Sequence, residues 1–337
     1  MDDRLTERRE AILQAVVEEY MATARPVGSG LVSDAAEVAV SSATVRKELG
    51  ALEDEGFLHQ PHTSAGRVPT DKGYRYYIDA LMGPSQLRST QHDRISDFFD
   101  RSHGELERIL AETSRLLAGV TGSAAVVVAP HAIAATVKAV QLVTLAPRVL
   151  LMVVVLSNGG IERRSFELDD AMTDDQVASA QQVLSDAWID RVAGTPDTED
   201  LATAVSDGVV ASFVQRASIA LQEPDGEPVV HVGGRSAVAG VFDETEKVAQ
   251  ILQLFERQLL VVTLIKDVLD RGMRVAIGAE TGVQNLNECS LVVASYGVNG
   301  SEAGSIGVLG PTHMNYPQAM AAVAVVSNHL GEHLTRG

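Results

Sequence analysis

Glycine and proline cut the first eighty-odd residues into short segments: Pro26 and Gly28, then Gly56, then Gly66, then Gly83-Pro84. Each is a break in helix or strand, so this region has room only for small helices and a hairpin. The apolar spacing between the breaks fills in the elements. Ile12, Leu13, Val16, Val17 and Tyr20 share one face of a helix over residues 5–24, with Thr6 placed as its cap and Glu7, Arg9, Glu10 and Glu18 free to point outward. Ser29 starts a second helix with Leu31, Val32 and Ala35 inward. A third helix runs from Ser41-Ser42 to Glu55, where Gly56 stops it. Strand-like pieces Phe57–Pro61 and Arg67–Pro69 flank the turn Ser64-Ala65-Gly66, and Thr70-Asp71 cap a helix through Leu81. Three helices followed by a hairpin is the order of a winged helix-turn-helix.

The third helix has the polarity that major-groove entry needs. Val45, Leu49 and Leu52 fall on one face, and Ala43, Lys47, Gly50 and Ala51 on the other, flanked by Thr44 and Arg46. Small residues let the backbone approach, and a few long donors reach base edges or phosphates. The hydroxyls of Ser41, Ser42 and Thr44 gather at the helix start, where free N–H groups favour a phosphate; either serine can equally be a simple cap. His62, Thr63, Ser64 and Arg67 present donors on the hairpin turn with no acid in it. Arg67, Lys72 and Arg75 face a single acid, Asp71, in a basic island within a chain of net charge −18. That overall charge argues against a general nucleic-acid binder but leaves a specific one open, because the local field decides. Ser41, Ser42, Thr44, Arg46, Lys47, His62, Thr63, Ser64, Arg67 and Arg75 are therefore the expected DNA-contacting set.

At 337 residues the chain exceeds one typical domain. Residues 1–84 form the winged helix-turn-helix and 85–120 a connecting helix. From residue 123 the pattern changes. Residues 124–129, 137–145, 149–156 and 162–167 read as consecutive strands, 173–187 as a helix, and 245–270 as one long helix. Strands resume at 273–277, 290–296 and 304–309, and a helix from Tyr316 closes the pattern. Strands on both sides of a helical middle predict an α+β domain in two parts, 121–187 and 257–337, carrying an inserted domain over 188–256. Val248, Ile251, Leu252 and Phe255 at helical spacing are candidates for a dimer interface there, or for ordinary core.

Composition and motifs narrow the function. Cys289 is the single cysteine, so no intramolecular disulfide is possible. The N-terminus is charged from Asp2 onward, and no apolar run reaches membrane-spanning length, so a soluble cytoplasmic protein with no membrane partner is expected. The sequence has no dinucleotide-binding glycine fingerprint, phosphate-binding Gly-Lys-Ser/Thr loop or nucleophile elbow. His329 and His333 are spaced i,i+4 but lack an evident third ligand. No enzyme activity, cofactor or metal is expected.

Pro26-Val27-Gly28-Ser29, Ser42-Ala43-Thr44-Val45-Arg46, Leu52-Glu53-Asp54-Glu55-Gly56-Phe57-Leu58 and the run from Pro61 to Arg75 resemble the heat-inducible transcription repressor family, HrcA. Ser290-Leu291-Val292-Val293-Ala294-Ser295-Tyr296-Gly297 and Gly307-Val308-Leu309-Gly310-Pro311-Thr312 agree with the same family, whereas residues 170–230 match it weakly. The resemblance implies a winged-helix domain, a GAF-like domain and an inserted dimerising domain. It also implies a homodimer on double-stranded DNA at an inverted-repeat operator of chaperone operons, kept active by the chaperonin. Two positions depart from the family pattern: His313 stands where it has Arg, and Gly278-Ala279-Glu280-Thr281 replaces a more acidic motif. The alternative is a metabolite-sensing repressor with a ligand in the GAF-like domain, its rims at 278–287 and 311–316.

Overall fold

The computed structural model describes residues 5–35, 40–83, 86–102, 105–129, 136–157, 161–191, 206–222, 229–235, 245–298 and 301–336. The N-terminal unit follows the breaks in the sequence. Helices α1 (Glu7–Thr23), α2 (Ser29–Asp34) and α3 (Ser42–Asp54) precede a hairpin of β1 (Leu58–His59) and β2 (Val68–Pro69). Helix α4 (Asp71–Tyr76) then passes into a wider helical turn at Tyr77–Leu81. Ile12, Leu13, Val16 and Val17 of α1 meet Val45, Leu49 and Leu52 of α3 in the core. Leu31, expected inward on α2, is 58% exposed, and only Val32 of that helix is buried. Six residues give barely two turns, so α2 turns one narrow stripe inward.

The connecting helix is two helices, α5 (Ser89–Arg101) and α6 (Leu106–Thr121). Leu110 and Leu117 of α6 are fully buried, so α6 is core and not linker. It lies under a five-stranded antiparallel sheet of order β7-β3-β10-β9-β8. These strands are β3 (Ala124–Val128), β7 (Val230–Gly233), β8 (Val275–Ile277), β9 (Cys289–Val298) and β10 (Ser301–Pro311). The last helix, α11 (Tyr316–Arg336), covers the same face as α6. On the other face, α9 (Thr245–Glu256) and α10 (Gln258–Asp270) cover Val126, Leu291 and Val293. The mixed α+β class read from the sequence holds.

The four consecutive strands do not share a sheet. β4 (Val137–Ala146), β5 (Val149–Leu156) and β6 (Ile161–Glu167) form their own antiparallel sheet, order β4-β5-β6, under α7 (Asp174–Trp188) and α8 (Gly208–Gln222). The separate unit thus begins near β4 and ends with α8, not at the expected 188–256. The sequence carries the reason. All five residues of β3 are buried, as suits a strand covered on both faces, whereas β4 alternates with exposed Lys138, Gln141 and Val143.

The expected long helix over 245–270 breaks at Arg257, and its halves are bent by 94°. A straight helix of that span would be about 39 Å long, roughly twice the width of a five-stranded sheet at 4.8 Å per strand. The bend keeps Phe255 and Leu264 in one core. Ile251 and Phe255 are 1% and 2% exposed, so these two side chains are core, and Val248 packs against them only partly buried. Leu252 is half-buried. Among the described residues no single helix is long and apolar enough to cross a membrane.

Candidate nucleic-acid interface

The Ser41 side chain caps α3, accepting from Thr44 N–H at 3.3 Å, and its Oγ lies 3.0 Å from Thr44 Oγ1. Ser42 Oγ meets Ser29 Oγ at 3.2 Å, joining the starts of α2 and α3. Ser41, Ser42, Ala43, Arg46 and Lys47 are exposed while Val45, Leu49 and Leu52 are buried, so the expected two-faced helix is present. No atom lies within 4 Å of a Cβ built on Gly50. Packing among the described residues therefore gives no reason for glycine there, although it costs about 1 kcal/mol of helix propensity against alanine.

The acids of α3 are held sideways. Arg9 of α1 reaches Glu48 at 3.0 Å and Glu55 at 2.5 Å, and Arg67 reaches Glu53 at 2.8 Å. Arg46 and Lys47 make no ion pair among the described residues, so the outward face keeps positive charge. Sequence spacing gave no sign of Arg9 in this role, because its partners lie 39 and 46 residues away.

The basic island is engaged inside the molecule, contrary to expectation. Arg67 lies at the base of the hairpin, not its tip: its backbone exchanges hydrogen bonds with Val27 at 2.8 and 2.9 Å, and its guanidinium holds Glu53. Gly66 beside it has no room for a side chain, since a Cβ would sit 2.4 Å from the Val27 carbonyl. Lys72 lies over the Phe57 ring, 4.3 Å from its centroid, and donates to the Glu55 carbonyl at 3.3 Å. The tip is His62, Thr63 and Ser64, all exposed, braced from beneath by the Gln60 amide donating to the Thr63 and Ala65 carbonyls.

Arg75 is directed away from α3, into the sheet domain. Its Nε and Nη2 donate to the two oxygens of Glu280, Nη2 also reaches the Val275 carbonyl at 2.7 Å, and Nη1 meets Asp79 at 3.3 Å. Asp71, from the first turn of α4, accepts from Ala279 N–H at 3.2 Å. The 278–281 turn, read from sequence as a possible ligand rim, is thus occupied by α4. Beside it the Tyr74 and Tyr316 rings lie 5.6 Å apart, and the Tyr316 hydroxyl bonds Ser290 and the Thr312 carbonyl. His313, at the other expected rim, meets the Tyr20 ring of α1 edge-on at 6.0 Å. Among the described residues no three His, Cys, Asp or Glu side chains are grouped to hold a metal ion.

A family model described as "HrcA protein C terminal domain" matches residues 107–320. The chain is 34% identical over 349 residues to the heat-inducible transcription repressor HrcA of Nocardia farcinica (strain IFM 10152), covering 98% of each. It is 35% identical over 342 residues to that of Mycobacterium leprae (strain TN), covering 97% of each. A hypothetical protein solved by crystallography at 2.2 Å shares the fold, with TM-score 0.65, 21% identity and 99% of both chains covered. The chain belongs to the HrcA family of heat-inducible transcription repressors.

Proposed function

We propose that the N-terminal unit is a winged helix-turn-helix whose helix α3 enters the major groove, with the β1–β2 turn as the wing. The observation that carries this reading is the outward face of α3: Arg46 and Lys47 exposed, with no acid partner among the described residues, beside Ala43 and Gly50. Long donors beside small residues suit close approach to base edges and phosphates. Ser42, Thr44, His62, Thr63 and Ser64 are placed to contact backbone around it. Arg67 and Arg75 support the geometry from within.

One such unit covers one half-site, so an inverted-repeat operator calls for a two-fold dimer. We assign the GAF-like role to the five-stranded domain and the dimerising role to the three-stranded unit. One face of that sheet is covered by α7 and α8. The other presents Val143, Val155 and Ile161, which are 40%, 36% and 55% exposed. Leu151 and Val153 line the same face of β5, Leu151 opposite Val143 and Val153 between Gln141 and Arg163. An antiparallel sheet with a solvated face normally carries polar residues there, and a contiguous apolar patch marks an association surface. A second copy is the occupant that the operator's symmetry requires. Chaperonin, named by the family resemblance, is the partner proposed to keep the repressor folded.

The test is protection of an inverted repeat upstream of chaperonin genes by the pure protein. Wild type should protect both half-sites, and Arg46→Ala/Lys47→Ala, folded to the same melting temperature, should not. Equal protection by the double variant would overturn the assignment of α3.

A further inference from the structure

We propose that Asp71, Arg75, Gly278 and Glu280 form an alignment latch, which fixes the angle of the winged helix on the sheet domain and so sets the half-site spacing that the dimer accepts. The proposal rests on the two-fold reading above and adds to it the residues that translate body geometry into operator choice.

Two independent contacts build the latch. The first is the paired bond from the Arg75 fork to both Glu280 oxygens, with side chains only 26% and 29% exposed. A planar fork on a carboxylate fixes direction as well as distance. Glu280 is itself held, since Oε2 accepts from Ile277 N–H at 2.9 Å and its carbonyl accepts from Arg271 at 2.9 Å. The second contact is Asp71 on Ala279 N–H, and the turn beneath is shaped for it. Gly278 has φ +49°, and a Cβ there would lie 2.2 Å from Asp71 Oδ2. Around both contacts the apolar core runs without a break from α1 and α4 into β8 and α11, through Tyr74, Tyr77, Val275, Ile277 and Tyr316. Apolar contact attracts but is non-directional. The polar pairs at its edge supply the angle. Rotating the N-terminal unit would leave a half-buried guanidinium and carboxylate apart, which is costly.

The consequence is an energy that depends on spacing. Each inserted base pair moves a half-site by about 3.4 Å and turns it by about 34°. A body that holds both recognition helices at one angle tolerates this poorly.

The experiment measures full-length wild type, Arg75→Gln, Glu280→Gln, the double variant and Gly278→Ala on six duplexes: native spacing, spacers longer or shorter by one or two base pairs, and a single half-site. Wild type should prefer native spacing sharply. Each variant should flatten that preference by about threefold or more, with the Arg75/Glu280 double variant no flatter than the singles, as expected when both remove one shared interaction. Single-half-site affinity should hold. Loss of folded protein would weaken all duplexes by one factor and leave their ratio intact, so the ratio separates alignment from stability. A sharp wild-type profile retained in every variant overturns the latch alone. A flat wild-type profile overturns the dimeric reading and the latch together.

Discussion

Gly50 shows how one residue can separate stability from function. A methyl at this position meets nothing among the described residues, so Gly50→Ala should raise stability by about 1 kcal/mol. Operator affinity should nevertheless fall, because the outward face thickens where DNA approaches. Calorimetry and a binding titration on the same preparation check both signs. Arg46→Ala and Lys47→Ala should each lower the log–log salt slope by about one unit per protomer if the lost contact is to phosphate. Burial holds the imidazoles of His231 and His313 below the ordinary value of 6.5. The unfolded chain therefore takes up these protons first. Their contribution to stability is full above 6.5 and is lost as pH falls from there toward the folded-state values. Melting temperature should drop on going below that pH, and less so in His231→Gln/His313→Gln. At this scale the sequence was informative where partners are near in the chain. A serine cap, open between Ser41 and Ser42, and the two faces of α3 were legible, but Arg75 was not, because its carboxylate lies 205 residues away.

Among elements, the apolar stripe of α9 and the open face of the three-stranded sheet differ in burial. Phe255 fills core, so Phe255→Ala should cost about 3–5 kcal/mol and leave the oligomeric state unchanged in whatever fraction stays folded. Val143→Glu/Ile161→Lys on the open sheet face should cost little folding energy and shift the protein toward monomer by sedimentation. Trp188, the single tryptophan, is fully buried in the three-stranded unit with its indole N–H on Ser218 at 3.3 Å. Native emission from the double variant would show that the unit is intact while the dimer is lost. A dimeric double variant would remove the proposed interface. Helical spacing at 245–270 was legible, but the bend at Arg257 was not: α9 and α10 both carry apolar stripes, and periodicity does not report a change of direction between them.

For the whole molecule, folding must bring distant segments together. β3 pairs with β10 on one side and β7 on the other, and both lie far along the chain. Such non-local pairing is slow and leaves apolar strands exposed meanwhile. Denatured protein diluted at constant temperature should recover operator binding poorly alone and better with chaperonin and ATP. Full unaided recovery would remove chaperonin as the partner proposed to keep the repressor folded. Strands on both sides of a helical middle suggested an insertion over 188–256, whereas the separate sheet is built from β4, β5 and β6. Its limits were not legible, because β3 and β4 both read as apolar strands and differ only in whether alternate residues are covered.

The place where the insertion enters has a consequence for inheritance. Val128 pairs directly with Val230, and Ala129 N–H meets the Val229 carbonyl at 2.9 Å. The chain therefore leaves and rejoins the sheet at touching positions, as a tight hairpin would. Residues 129–229 can be lengthened, shortened or exchanged in a single genetic event without re-threading any other strand, as domain insertions are when their ends lie close together. A lineage can thus rebuild the three-stranded unit while the five-stranded sheet and the N-terminal helices pass on unchanged.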